Sequence, residues 1–167
     1  MNGHLSSVLF IAWAIAIAVC DCRNRRIPNA LVVIGFIAAL MCAVLRHNPF
    51  GISFYAALLG TAVGLIALLP FFVIGVMGAA DVKVFAVLGA WCGMQPLLGL
   101  WVAASLAAGV HAATLLLTSR SRIPALSGRR ATPTFELAGR RSTPYAACLT
   151  VPAAAWVALQ FVTGATT

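Results

Sequence analysis

The sequence predicts an all-α, polytopic integral membrane protein of about six transmembrane helices and no soluble domain. Three observations carry this. The 167 residues are 62% hydrophobic and 8% charged, with a mean hydropathy of +1.02, against roughly 25% charged residues in an ordinary soluble domain. The apolar residues are gathered into runs approaching the roughly 20 residues that a helix needs to cross a hydrocarbon core about 30 Å thick. The 11 Lys and Arg residues, set against 3 Asp and Glu, collect in alternate connections between those runs.

Residues Leu5 to Cys20 are apolar apart from Ser6 and Ser7, and the run ends at Asp21-Cys22-Arg23-Asn24-Arg25-Arg26. A first span over 5–20 follows. A secretory signal peptide carries its positive charges ahead of the apolar run. Met1-Asn2-Gly3-His4 has none, so the segment is expected to be retained, with its N-terminus outside. A second run, 30–45, follows Pro28, a residue suited to the first helical turn because its missing N–H costs nothing there. It ends at Arg46-His47-Asn48-Pro49. The third, 52–73, carries Gly60 and Gly64 at the spacing that lets helices approach closely. A short fourth span is expected over 82–94, with Asp81 and Lys83 inside it or at its edge, before a break at Gln95-Pro96. Residues 97–117 read as the fifth span and 144–162 as the sixth. Between them, 119–143 is rich in Arg and Ser and punctuated by Pro124 and Pro133, which predicts a loop or a surface-lying segment. The whole of 1–167 is read as one membrane-embedded domain.

Six crossings place successive connections on alternate sides, and cytoplasmic connections carry the excess of Lys and Arg. Arg23, Arg25 and Arg26 fall in the first connection, Lys83 in the third, and Arg120, Arg122, Arg129, Arg130, Arg140 and Arg141 in the fifth; Arg46 alone lies opposite. The odd-numbered connections are therefore expected to be cytoplasmic and both termini outside. The positive charge sets orientation, and with no interleaving of aromatic and basic residues a nucleic-acid partner is not expected. Cys20, Cys22, Cys42, Cys92 and Cys148 contain no Cys-x-x-Cys pair, so neither a disulfide framework nor a structural zinc site is expected; they read as small apolar helix residues. His4, His47 and His111 show no metal-ligand spacing. His111, polar within the fifth span, reads as a hydrogen-bonded packing residue. No cofactor is expected.

Carboxylate chemistry has three candidates: Asp21, Asp81 and Glu136. Glu136 lies in the basic loop. A carboxylate inside a bilayer costs roughly 2.5–3.5 kcal/mol on insertion scales, so such residues tend to face a polar cavity and serve a function. Asp21 ends an inward-going helix and Asp81 begins an outward-going one, which sets both at the cytoplasmic face and allows them to meet. Two carboxyls in contact cannot both ionise cheaply, so one keeps its proton and the other can polarise a water, as an aspartic protease requires. The structural alternative is that Asp21 pairs with Arg23, Arg25 or Arg26, and Asp81 with Lys83 at a helix N-terminus.

These residues resemble a known family. Gly78-Ala79-Ala80-Asp81-Val82-Lys83 looks like the Gly-x-Gly-Asp motif of the type IV prepilin peptidases, membrane aspartic proteases in which Val-Lys commonly follows. Asp21 with Arg26-Ile27-Pro28-Asn29 is similar to that family's first catalytic Asp and its Arg-x-Pro-Asn stretch, and Pro144-Tyr145-Ala146 to the Pro-Tyr/Phe-Gly segment opening the last helix. The resemblance implies that Asp21 and Asp81 are the catalytic pair and that Gly78 supplies flexible backbone before the second Asp. It makes Arg26, Pro28, Asn29, Lys83, Pro144 and Tyr145 supporting residues. It further implies cleavage of short basic leaders from prepilin-like membrane precursors, on the cytoplasmic side of a bacterial inner membrane and next to a following hydrophobic helix. Ala80 and Ala146 stand where the family commonly has Gly. Larger members add a cysteine-containing cytoplasmic domain and N-methylate the trimmed pilin; this chain looks like the compact type of Flp or Tad pilus systems, for which peptidase activity without methylation is expected.

Two other readings of the same residues remain open. In a small transporter or proton-conducting subunit, Asp21 and Asp81 would relay protons, although the internal repeat common in such folds is missing. In a noncatalytic assembly factor of a pilus or secretion machine, Ala80 would mark lost activity.

Overall fold

A computed structural model of the protein describes residues 2–24, 26–120 and 145–163. Among them the chain forms six α-helices and no strand: α1 (Asn2–Asn24), α2 (Asn29–Val44), α3 (Phe54–Val73), α4 (Ala79–Cys92), α5 (Leu97–Arg120) and α6 (Tyr145–Thr163).

The helix ends depart from the apolar runs by about a turn, for local reasons. α1 does not stop at Cys20; it continues through Asp21 to Asn24, because polar side chains end an apolar run without ending a helix. Arg23 in its last turn suits the negative end of the helix dipole. Pro28 is the N-cap of α2 and lies ahead of the first turn, extended at φ −60° and ψ 133°. Its carbonyl accepts from Leu31 N–H at 3.0 Å. Ser53 caps α3, its hydroxyl accepting from Ala56 N–H at 3.3 Å, which satisfies one of the donors a helix start leaves open. α4 begins at Ala79, three positions before the apolar stretch, so Asp81 and Lys83 are both helical. The expected loop over 119–143 lies outside the described residues beyond Arg120.

The helices run alternately up and down. At one end, hydrogen bonds join the last turn of α1 to the first turn of α6 and the first residue of α2 to Lys83 of α4. At the other end, a cavity of about 640 Å³ is lined by residues that include Ser7 of α1, Asn48, Cys92 of α4, Gln95 and Gln160 of α6. α4 is the central element, in contact with α2, α3, α5 and α6, while α1 packs chiefly on α6. Every residue from Val84 to Cys92 is buried. Its 14 residues span about 21 Å at 1.5 Å per residue, less than a bilayer's hydrocarbon core, and neighbouring helices enclose that length.

α3 and α4 touch backbone to backbone. A Cβ on Gly60 would overlap the Gly89 carbonyl, one on Gly89 would overlap the Gly60 carbonyl, and one on Gly64 would lie 2.9 Å from the Phe85 carbonyl oxygen. The close approach expected from Gly60 and Gly64 is therefore present, and Gly89 is its third member. Backbone cannot move aside as a side chain can, so Gly60→Val is expected to push α3 off the central helix at a cost of about 3 kcal/mol or more. A lower melting temperature of the detergent-solubilised protein, or loss of its monodisperse elution peak, checks this.

α1 over His4–Asn24 and α3 over Phe54–Val73 are long and apolar enough to cross a membrane; α2, Leu97–His111 and Tyr145–Gln160 are shorter apolar helices. The outward surfaces are apolar as well: Ile34, Ile66 and Leu106 are 61%, 67% and 66% exposed. Helices apolar on both faces call for an apolar surrounding rather than water.

Candidate active site

Asp21 sits in the last turn of α1 and is buried, with 8% of its surface exposed. A carboxylate at that end opposes the partial negative charge of the helix's own terminal carbonyls. The compensation comes from α6, whose Ala147 N–H donates to Asp21 Oδ2 at 2.9 Å. The first amides of a helix have no acceptor within it, so this donor costs α6 nothing.

Asp81 occupies the first turn of α4, the end where negative charge is favoured, and is half-buried. Its carboxylate accepts from the backbone N–H of Gly78 and of Ala146, and it lies in the electrostatic field of Asp21. The bond back to Gly78 ties the third helical residue to the N-cap amide. The bond to Ala146 matters more for the site. Two successive amides of α6, at Ala146 and Ala147, each hold one carboxylate, and those carboxylates come from two different helices.

Gly78 adopts an ordinary extended conformation, φ −75° and ψ 148°. A Cβ there would stand 3.3 Å from Asp81 Oδ2 and crowd the carboxylate. Ala80 is the second residue of α4 and half-buried. A methyl group fits that helical position, where Gly would cost about 0.5–1 kcal/mol relative to Ala. Ala146 is fully buried and contributes through its backbone.

Lys83 is exposed and donates from Nζ to Asn29 Oδ1 at 3.0 Å, tying the start of α2 to the start of α4. Arg26 and Pro28 are exposed on the connection between α1 and α2. Pro144 lies outside the described residues. Tyr145 opens α6, in the field of Asp81, with its hydroxyl 3.0 Å from Ser105 Oγ. Among the described residues no group of three or more His, Cys, Asp or Glu side chains is placed to hold a metal ion.

Sequence reading missed the amides of Ala146 and Ala147 and the side chain of Ser105. Nothing in a sequence marks an amide, since nearly every residue has one. Ser105 left a faint signal as the only hydroxyl between Leu97 and Val110. Asp81 lies in the field of Asp21, and two carboxyls that interact strongly can hold one proton between them, one then serving as an acid and the other as a base.

Comparison with known proteins decides which family uses this arrangement. The profile of the type IV leader peptidase family matches residues 8–113, a stretch that contains both Asp21 and Asp81. The chain belongs to that family. Over 116 residues it is 33% identical to a protein named prepilin leader peptidase/N-methyltransferase from Bacillus subtilis (strain 168), a match covering 68% of this chain and 46% of the relative. The chain thus matches about half the length of that relative. No solved structure matches it. The family membership expected from Asp21, Asp81 and the motifs around them is borne out, and the protein is a relative of prepilin-processing peptidases.

Proposed function

We propose that this protein is a membrane-embedded aspartic endopeptidase that removes the short basic leader from prepilin-like precursors at the cytoplasmic membrane face. The observation that carries the proposal is the pair Asp21 and Asp81, brought from α1 and α4 to one end of the bundle and held by successive amides of α6. In this reading all six helices cross the membrane of a bacterial cell, the basic connections face the cytoplasm, and the pair lies where a substrate helix would leave the bilayer.

The chemistry follows from one proton shared by two carboxyls. The ionised member takes a proton from water as the water oxygen attacks the scissile carbonyl. The protonated member donates its hydrogen to the developing oxyanion. As the tetrahedral intermediate collapses, the carboxyl that took the water proton passes it to the leaving amine, the other takes the hydrogen of an intermediate hydroxyl, the C–N bond breaks, and the pair returns to its starting state with one proton. In this reading the α6 amides hold the carboxylates in place before the substrate arrives, so little reorganisation is needed in the transition state. Methyl transfer is not part of the proposed activity.

Purified protein in lipid nanodiscs, incubated with a prepilin-type precursor, tests this. The expected result is a shortened product whose new N-terminus lies directly ahead of its apolar segment and carries no added methyl group. An intact precursor after prolonged incubation, together with ion flux through liposomes containing this chain alone, would replace the peptidase reading with the proton-relay one.

A further inference from the structure

We propose that Ser105 is a positioning residue for the carboxylate pair, acting through Tyr145; the proposal rests on the peptidase reading above. The amides that hold Asp21 and Asp81 belong to Ala147 and Ala146, so the pair is placed only as well as the first turn of α6 is placed. Two bonds fix that turn. From within the helix, Thr150, fully buried, donates its hydroxyl to the Ala146 carbonyl at 3.0 Å, with the Ala147 carbonyl at 3.4 Å. From outside, Tyr145, the residue directly ahead of the two amides, meets Ser105 of α5 at 3.0 Å.

Ser105 stands out on its own helix, as the one hydroxyl in an otherwise apolar stretch from Leu97 to Val110. In lipid a hydroxyl needs a partner, and interhelical hydrogen bonds of this kind hold helices in register. Tyr145 is half-buried and in the field of Asp81, so the bond ends beside the pair without either hydroxyl having to touch substrate. Losing it leaves both side chains able to fold but frees the first turn of α6 to shift against α5. The carboxylates then lose the alignment of their donors.

Activity and a substrate-free probe together test the proposal. Cys148 lies on the same turn of α6, partly exposed, in the field of Asp21 and Cys22, so its alkylation by N-ethylmaleimide, followed by peptide mass spectrometry, reports the position of that turn with no substrate present. Ser105→Ala and Tyr145→Phe are each expected to lower kcat about three- to tenfold, the span set by one lost hydrogen bond, while KM stays near its original value. The double variant is expected to be no worse than either single one, since both remove the same bond. Cys148 labelling is expected to speed up in all three, and Ser105→Thr, which keeps the hydroxyl, to restore both readouts. Unchanged labelling in Ser105→Ala and Tyr145→Phe, multiplying effects in the double variant, or a Ser105→Thr protein as impaired as Ser105→Ala would overturn the proposal. If the unmodified protein cleaves no precursor, the peptidase reading fails, and the labelling pattern alone still decides whether Ser105 sets the turn.

Discussion

Replacing Asp21 or Asp81 by Asn, one at a time, is expected to lower leader cleavage about a thousandfold, within the range of a lost general acid or base. The fold is expected to survive both changes. Asn keeps an oxygen that accepts from Ala147 N–H in place of Asp21 Oδ2, and from Gly78 and Ala146 N–H in place of Asp81. Each change removes one titratable group and leaves the other carboxyl without an acidic neighbour. The two variants should therefore elute and melt like the parent protein, while producing no shortened precursor on a gel. Normal processing by either variant would show that the pair is structural. Equal loss in both is the mark of two groups acting as one unit, where removing either removes the function.

Ala147→Pro is expected to have the next largest effect on activity. Proline has no N–H, and its fixed φ near −65° suits the first turn of a helix. At this position it would take from α6 little except the donor to Asp21. A buried carboxylate that loses a donor pays the desolvation of the group, about 1–3 kcal/mol, which corresponds to roughly a ten- to hundredfold fall in kcat. Proline at Ala154 is the contrasting case: α6 already accommodates Pro152 in its interior, and a second interior proline, at about 3 kcal/mol, is expected to lower the melting temperature as well as the activity. Circular dichroism of the Ala147→Pro protein, unchanged beside a reduced kcat, would tie the loss to the missing amide. Full activity would mean that α6 does not hold the pair.

The parts of this architecture legible in the sequence are those written in composition. Apolar runs gave the six helices to within about a turn, and the arginines around residues 23–26 and 120–141 gave the expectation that Asp21 and Asp81 share one end. Gly60 and Gly64 signalled a close approach. Their partner Gly89 did not, because it sits in a run where every neighbour is apolar and a single Gly carries no spacing. The start of α4 was misplaced for a related reason: Asp81 and Lys83 interrupt hydropathy without interrupting the helix. α1 outlasted Cys20 for the same cause. The amides of Ala146 and Ala147 were invisible, since their role depends on where α6 begins in space. The bond between Ser105 and Tyr145, 40 residues apart, exists only once α5 and α6 are packed.

Asp21 and Asp81 are the only aspartates in the chain, which makes a direct test of their partnership possible. Protein labelled with carbon-13 at the aspartate side-chain carboxyls gives one resonance for each, and their shifts can be followed against pH in nanodiscs. Coupled groups sharing a proton should move together, both resonances responding in each of two separate steps. Two resonances that each titrate once, independently and near the ordinary aspartate value of about 3.9, would contradict the shared proton on which the proposed peptidase depends.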